Sequence, residues 1–144
     1  MRRLVLFDID GTILTDRGAS RAAFAEALAR VYGFDGDLSR YDFSGRTDPQ
    51  IAHMVLRDAG HSAEDIERAL PRLWELYLAG LERNATPERV RVMPGIPELL
   101  AALEAHDDVV LALLTGNIER GARLKLGGAG LNDYFPFGAF GSDS

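Results

Sequence analysis

At 144 residues, with 47% hydrophobic and 26% charged positions, the chain has the composition of one ordinary globular domain and enough length for a real core. A net charge of −6 argues against a nucleic-acid partner, whose phosphates need a basic face, and no apolar run is long enough to span a membrane. The lack of cysteine excludes disulfides, thiolate metal sites and a cysteine nucleophile, and it suits a cytoplasmic protein.

Leu4–Phe7 is a continuous apolar run closed by a turn signal, the pattern of a strand buried on both faces. From Ser20 the period becomes helical, with Phe24, Leu28 and Val31 on one side and Gly33 as the stop. The Gly- and Asp-rich GFDGDLSRYDFSG is loop. Asp48-Pro49 reads as an N-cap followed by proline at the first helical position; Ile51, Met54 and Val55 give that helix its apolar face, and Gly60 closes it. Ser62 with Asp65 opens more helix, and Pro71 predicts a break before a further helix over 71–83. There Leu73, Trp74, Tyr77, Leu78 and Leu81 read as packing. NATPERVRVMPGIP is a return linker, after which Pro97 starts a helix with Leu99, Leu100 and Leu103 inward. Val109–Leu114 predicts a second buried strand, 118–126 a short helix, GGAGLNDYF a loop and Phe137–Phe140 a third strand. Without the helical insert the order is βαβαβ, which implies an α/β fold with a Rossmann-like parallel sheet and right-handed crossovers.

In open parallel sheets ligands bind beyond the carboxyl ends of the strands. That rule brings two polar clusters together: Asp8-Ile9-Asp10-Gly11-Thr12 after the first strand, and Thr115-Gly116-Asn117 after the second. Alone, the first could be a turn and the second a helix entry. A helix–loop–helix Ca²⁺ site is excluded, because Ile13 stands where its glycine belongs. Two carboxylates so close repel each other, which points to a cation and a phosphoryl group between them. Of the 16 basic residues only Lys125 is a lysine; alone this is either the chance result of codon bias or a position kept for a compact ammonium suited to a single phosphoryl oxygen.

These residues resemble the haloacid dehalogenase-like hydrolase superfamily, its phosphoglycolate phosphatase-like branch above all, over nearly the whole chain. FDIDGT is similar to the first motif, LLTGN to the second, and Lys125 stands where the third places its lysine. FSGRTDPQI and MPGIPELL look like the cap loop and cap return. The resemblance implies a Rossmann-like core over 1–16 and 86–144, with a helical cap over 17–85 that closes above the site. It implies Asp8 as nucleophile, giving an aspartyl-phosphate, and Asp10 as general acid and then base. Mg²⁺ would be held by the Asp8 carboxylate and the Asp10 carbonyl. Thr12, Thr115, Gly116, Asn117 and Lys125 would bind the phosphoryl group, and Arg46, Thr47 and Asp48 would face the substrate from the cap. Asp10 favours phosphoryl transfer, since the dehalogenase branch lacks it. A cap without lysine, with His53 and His61 at surface positions, favours hydrolysis over a mutase reaction. The expected partner is a small phosphorylated metabolite, phosphoglycolate first, with neither nucleic acid nor membrane.

The family's fourth motif, an acidic pair or Gly-Asp-x-x-x-Asp after a further strand, completes the Mg²⁺ site. It has no counterpart in FGAFGSDS, where Asp143 follows no apolar strand. The expectation is therefore the N-terminal part of a longer phosphatase, its core incomplete at the C-terminus and its activity low alone. Leu4–Phe7 would be left at a sheet edge, covered by the missing segment or by a second copy in a homodimer. The alternative is a non-catalytic interaction module that oligomerises through that edge.

Overall fold

The computed structural model describes residues 1–143. In chain order the elements are β1 (Arg3–Phe7), β2 (Leu14–Thr15), α1 (Ala19–Tyr32), α2 (Asp48–Asp58), α3 (Ala63–Asn84), β3 (Arg91–Val92), α4 (Ile96–Glu104), β4 (Val109–Leu114), α5 (Glu119–Ala129) and β5 (Gly138–Ala139). The main sheet runs β1-β4-β5, all parallel, with Arg3 to Phe7 opposite Val109 to Leu113 and Leu113 opposite Gly138. No helix among the described residues is long and apolar enough to cross a membrane.

Both parallel steps move in the same direction across the sheet, so right-handed crossovers carry α4 and α5 to one face. On that face Phe7, Leu111 and Leu113 are buried, and Phe7 meets Phe135 edge-on with ring centroids 5.6 Å apart. The other face has no helix over it among the described residues. Leu4, Leu6, Leu114 and Phe137 are 56%, 50%, 53% and 50% exposed there. The expectation of strands buried on both faces is thus corrected: among the described residues the sheet is covered on one face only, and a continuous apolar run does not tell the two cases apart. β1 lies at the sheet edge, as expected.

The helices between β2 and β3 form a layer of their own. α1 and α3 meet closely enough that a Cβ on Gly80 would lie 3.1 Å from that of Ala23, and Tyr32 Oη donates to Ile66 O at 2.7 Å. α3 is one continuous helix, so Pro71 does not break it. Pro71 sits on the exposed side, while the buried stripe Ile66, Leu70, Leu73, Tyr77 and Leu81 runs past it. Burial along that stripe outweighs the roughly 3 kcal/mol that an interior proline costs. Two shorter corrections concern helix starts. Thr47, not Asp48, caps α2, in a reciprocal capping box with Gln50, which leaves the Asp48 side chain free for other use. α4 begins at Ile96 and buries Ile96 and Leu100, four residues apart, while Leu99 turns outward at 43% exposed. The third strand is only Gly138–Ala139, and α5 extends to Ala129.

An antiparallel pair unforeseen in the sequence, Leu14 opposite Val92 and Thr15 opposite Arg91, ties together the two places where the chain passes between sheet and helical layer. Just beyond it stands Arg17, the one non-glycine residue with positive φ (54°) among the described residues, followed by Gly18 at 89°. This left-handed step turns the chain so that the Asp16 carboxylate accepts from Gly18 N and Ser20 N, both at 3.1 Å, and caps α1.

Candidate active site

The loop after β1 explains the spacing of the acidic pair. Ile9 is fully buried, and the alternation of an extended chain then sends Asp8 and Asp10 the opposite way, toward solvent. Ile9 O accepts from the amides of Thr12, Ile13 and Leu14, a tight turn completed by Gly11 at φ 77°. Ile13 and Leu14 are fully buried and anchor it.

Asp8 and Asp10 open into a cavity of about 1000 Å³ between the strand ends and the helical layer. The loop after β4 also lines it. Thr115 Oγ1 accepts from Asn117 Nδ2 at 2.7 Å and Asn117 N at 3.1 Å, so its own O–H is left to donate. Asn117 Nδ2 also donates to Asp10 Oδ2 at 2.9 Å. Lys125, from α5, has a side chain only 3% exposed; its Nζ donates to both Asp10 oxygens at 2.9 and 3.1 Å and to Asn117 Oδ1 at 2.8 Å. Asp16 Oδ2 lies 3.7 Å from the same ammonium. Burial alone would lower the Lys125 pKa, but the Asp10 and Asp16 carboxylates outweigh it and hold it above the ordinary lysine value. Burial likewise opposes ionisation of Asp16, and Lys125 with the Ser20 and Gly18 amides overcomes it, leaving Asp16 below the usual carboxylate range.

The opposite wall comes from the helical layer. Asp48 N donates to Gly116 O, and Asp48 Oδ2 accepts from Ile118 N, both at 2.8 Å. Asp48 thus satisfies an amide at the start of α5 from a different helix. A Cβ on Gly116 would collide with Arg46 O, so only glycine lets this loop and the strand-end loop meet. Burial raises the Asp48 pKa to about 6, with the Ile118 amide and Lys125 opposing and Asp10 adding to the rise. Arg46 and Thr47 line the same side, as do Ser20, Arg21, Phe43 and Tyr77.

The haloacid dehalogenase-like hydrolase family profile matches residues 5–143. The chain belongs to that family. Among solved structures, a hydrolase from Pseudomonas syringae superposes with a TM-score of 0.73 at 21% identity, covering 100% of this chain and 62% of that one. A predicted phosphoglycolate phosphatase from Haemophilus somnus gives 0.69 at 18% identity, covering 99% and 64%. A β-phosphoglucomutase from Clostridium difficile gives 0.70 at 21% identity, covering 100% and 64%. The chain therefore spans somewhat less than two-thirds of the length of these neighbours, and at such identities they establish the fold it shares. Comparison with curated proteins gives no significant match.

In this member of the haloacid dehalogenase-like hydrolase family, nine of the ten residues singled out in the sequence line the cavity: Asp8, Asp10, Arg46, Thr47, Asp48, Thr115, Gly116, Asn117 and Lys125. Thr12 does not; it is exposed outside the lining, its amide spent in the turn to Ile9 O. Lys125 is placed on Asp10 rather than standing free for a phosphoryl oxygen. Asp143 binds Phe140 N at 2.8 Å within its own turn, and His53 pairs with Glu67 at 2.6 Å away from the cavity lining. Of the cavity residues that went unforeseen, Asp16, Arg21 and Tyr77 carry functional groups. Asp16 carried a readable signal, an acid placed four residues before Ser20 at a helix start; Tyr77 carried none, because its helical spacing is that of a core residue.

For Mg²⁺ the donors present are the hard oxygens that the ion takes, the exposed Asp8 carboxylate foremost. Asp10's carboxylate is engaged by Lys125, and among the described residues no three acidic or histidine side chains converge on one point. The residues fit Mg²⁺ as part of a ligand set, not as a whole one.

Proposed function

We propose that the chain carries the strand-end half of a phosphatase site that hydrolyses a small phosphate monoester, phosphoglycolate first, in the cytoplasm. One observation carries this reading: the two carboxylates of one loop stand in unlike surroundings. Asp8 is exposed in the cavity with its Oδ1 bonded only to the neighbouring Ile9 amide at 2.7 Å, whereas Asp10 is fixed by Lys125 and Asn117. An unpinned carboxylate is fit to be a nucleophile, and an oriented one is fit to handle a proton.

An Asp8 oxygen attacks phosphorus as the bond to the leaving oxygen breaks, and the protonated Asp10 gives that oxygen its proton. The Asp10 carboxylate then takes a proton from water, whose oxygen displaces Asp8 from the aspartyl-phosphate and releases phosphate. Thr115 O–H and the amides around Gly11 and Gly116 receive the phosphoryl oxygens. Lys125 contributes positive charge through Asp10 rather than by direct contact. Mg²⁺, held by Asp8 and the Asp10 carbonyl, would offset the charge shared by carboxylate and phosphoryl group. The helical layer acts as a cap that excludes water.

The chain alone is expected to turn over an aryl phosphate slowly with Mg²⁺, and Asp8→Asn should abolish that turnover while His53→Ala leaves it intact. Turnover that survives Asp8→Asn sinks the assignment, as does a wild-type chain that neither hydrolyses the ester nor binds inorganic phosphate. The bare sheet face with Leu4, Leu6, Leu114 and Phe137 favours a second reading, an interaction module pairing with a second copy of itself. Concentration-dependent dimerisation in sedimentation, without turnover, is its signature.

A further inference from the structure

Tyr77 is the most buried tyrosine of the chain, 3% exposed, and it lines the cavity. Its ring is held by edge contacts to Phe24 and Trp74, with centroids 5.8 and 6.1 Å apart, and lies beside Gly121 of α5, where an added Cβ would come within 3.7 Å of it. Buried hydroxyls are almost always bonded. Tyr32 Oη donates to Ile66 O at 2.7 Å and Tyr41 Oη to Asp58 at 2.5 Å, but the Tyr77 hydroxyl has no hydrogen-bond partner among the described residues. No fully buried side-chain oxygen or nitrogen among the described residues lacks a partner, so this hydroxyl is not sealed off, and its residue lines the cavity. Burial, then the Asp48, Asp10 and Asp16 carboxylates, push its pKa well above the ordinary tyrosine value, which keeps it a donor. Those acids are already engaged, Asp48 with Ile118 and the other two with Lys125.

The same wall holds two cations that form no salt bridge among the described residues. The Arg21 guanidinium lies 4.3 Å from the centre of the Phe43 ring and spends an N–H on Leu38 O; Arg46 spends its Nε on Asp42 O. Donors are thus in surplus on the side that faces the leaving group.

We propose that Tyr77 is a substrate-binding residue whose hydroxyl donates to a carboxylate carried by the leaving group, so that the helical layer selects phosphorylated hydroxy acids over plain alkyl phosphates. This rests on the phosphatase reading above. Phosphoglycolate and ethyl phosphate are matched probes, differing by carboxylate against methyl. Calorimetric titration with Mg²⁺ should show Tyr77→Phe weakening phosphoglycolate about tenfold while leaving ethyl phosphate and inorganic phosphate unchanged. The tyrosine Cζ resonance of Tyr77 should also move with phosphoglycolate and not with ethyl phosphate. Unchanged phosphoglycolate affinity in Tyr77→Phe, or an equal loss on all three ligands, overturns the assignment while leaving the phosphatase reading in place. Failure of the wild-type chain to bind inorganic phosphate removes the phosphatase reading and this inference together.

Discussion

The two walls of the cavity spend their polar groups differently. On the strand-end wall Asp10, Asp16, Asn117 and Lys125 bond to one another, so that network is complete before any ligand arrives, with the Asp8 carboxylate and the Thr115 hydroxyl left beside it. On the helical wall Tyr77, Arg21 and Arg46 keep donors to spare, and Asp48 is bonded across the gap to the other wall. A network complete in itself fixes geometry, which under the proposed phosphatase reading suits the step common to all substrates. Unspent donors lower nothing until a ligand meets them, which suits selection among leaving groups. The acids show the same division: Asp16 is held below the ordinary carboxylate range and Asp48 above it.

The strand-end network breaks most sharply at its cation. Lys125→Met removes the charge that pairs with Asp10 and the buried Asp16, and a broken buried pair costs about 3–5 kcal/mol. Urea denaturation at neutral pH should show that loss, and Asp16→Asn added to Lys125→Met should recover part of it. A Lys125→Met chain as stable as the parent would mean that the network orients Asp10 without holding the fold.

Asp48 tests the other wall, with the opposite sign. Burial lifts its carboxyl to a pKa of about 6 in the folded chain from the ordinary 3.8, so between those pH values the native state binds the extra proton. Stability from this group falls as pH rises through that window and stays lower above it. Asp48→Asn keeps an oxygen for Ile118 N and drops the charge, so it should be more stable than the parent at pH about 8, by at most about 3 kcal/mol. The gain should vanish near pH 4. Equal denaturation midpoints at both pH values would show that the carboxylate is better solvated than its burial suggests. A Gly116→Ala change acts on the same seam by pushing the strand-end loop off Arg46 O, and overpacking of this kind costs about 1–3 kcal/mol.

How much of this could be read in advance follows the same line. The strand ends were legible, because Asp8-Ile9-Asp10-Gly11 and Thr115-Gly116-Asn117 are local patterns at the ends of apolar runs, and Lys125 stands out by being alone. The uncovered sheet face was not, since Leu4 and Leu6 look the same whether or not a helix lies over them. Nor was Tyr77, whose position in a helical stripe is shared by Leu73 and Leu81; only the packing of α3 against α1 and α5 brings it to the cavity lining. Pro71 misled for a related reason, as local propensity gave way to a stripe buried on both sides of it.

The smallest predicted effect separates the walls most finely. Tyr32→Phe removes a hydroxyl that donates to Ile66 O at 2.7 Å, and the lost bond should cost about 1 kcal/mol of stability. Tyr77→Phe removes the hydroxyl of a more deeply buried residue; that hydroxyl bonds to no described residue, and the ring still packs on Phe24 and Trp74. Its stability should therefore change by less than about 0.5 kcal/mol, because no hydrogen bond within the protein is lost. Burial alone would rank the two substitutions the other way. A denaturation experiment that finds Tyr77→Phe the costlier change would show that its hydroxyl is already satisfied in the free protein, and would turn the helical wall into a second finished surface.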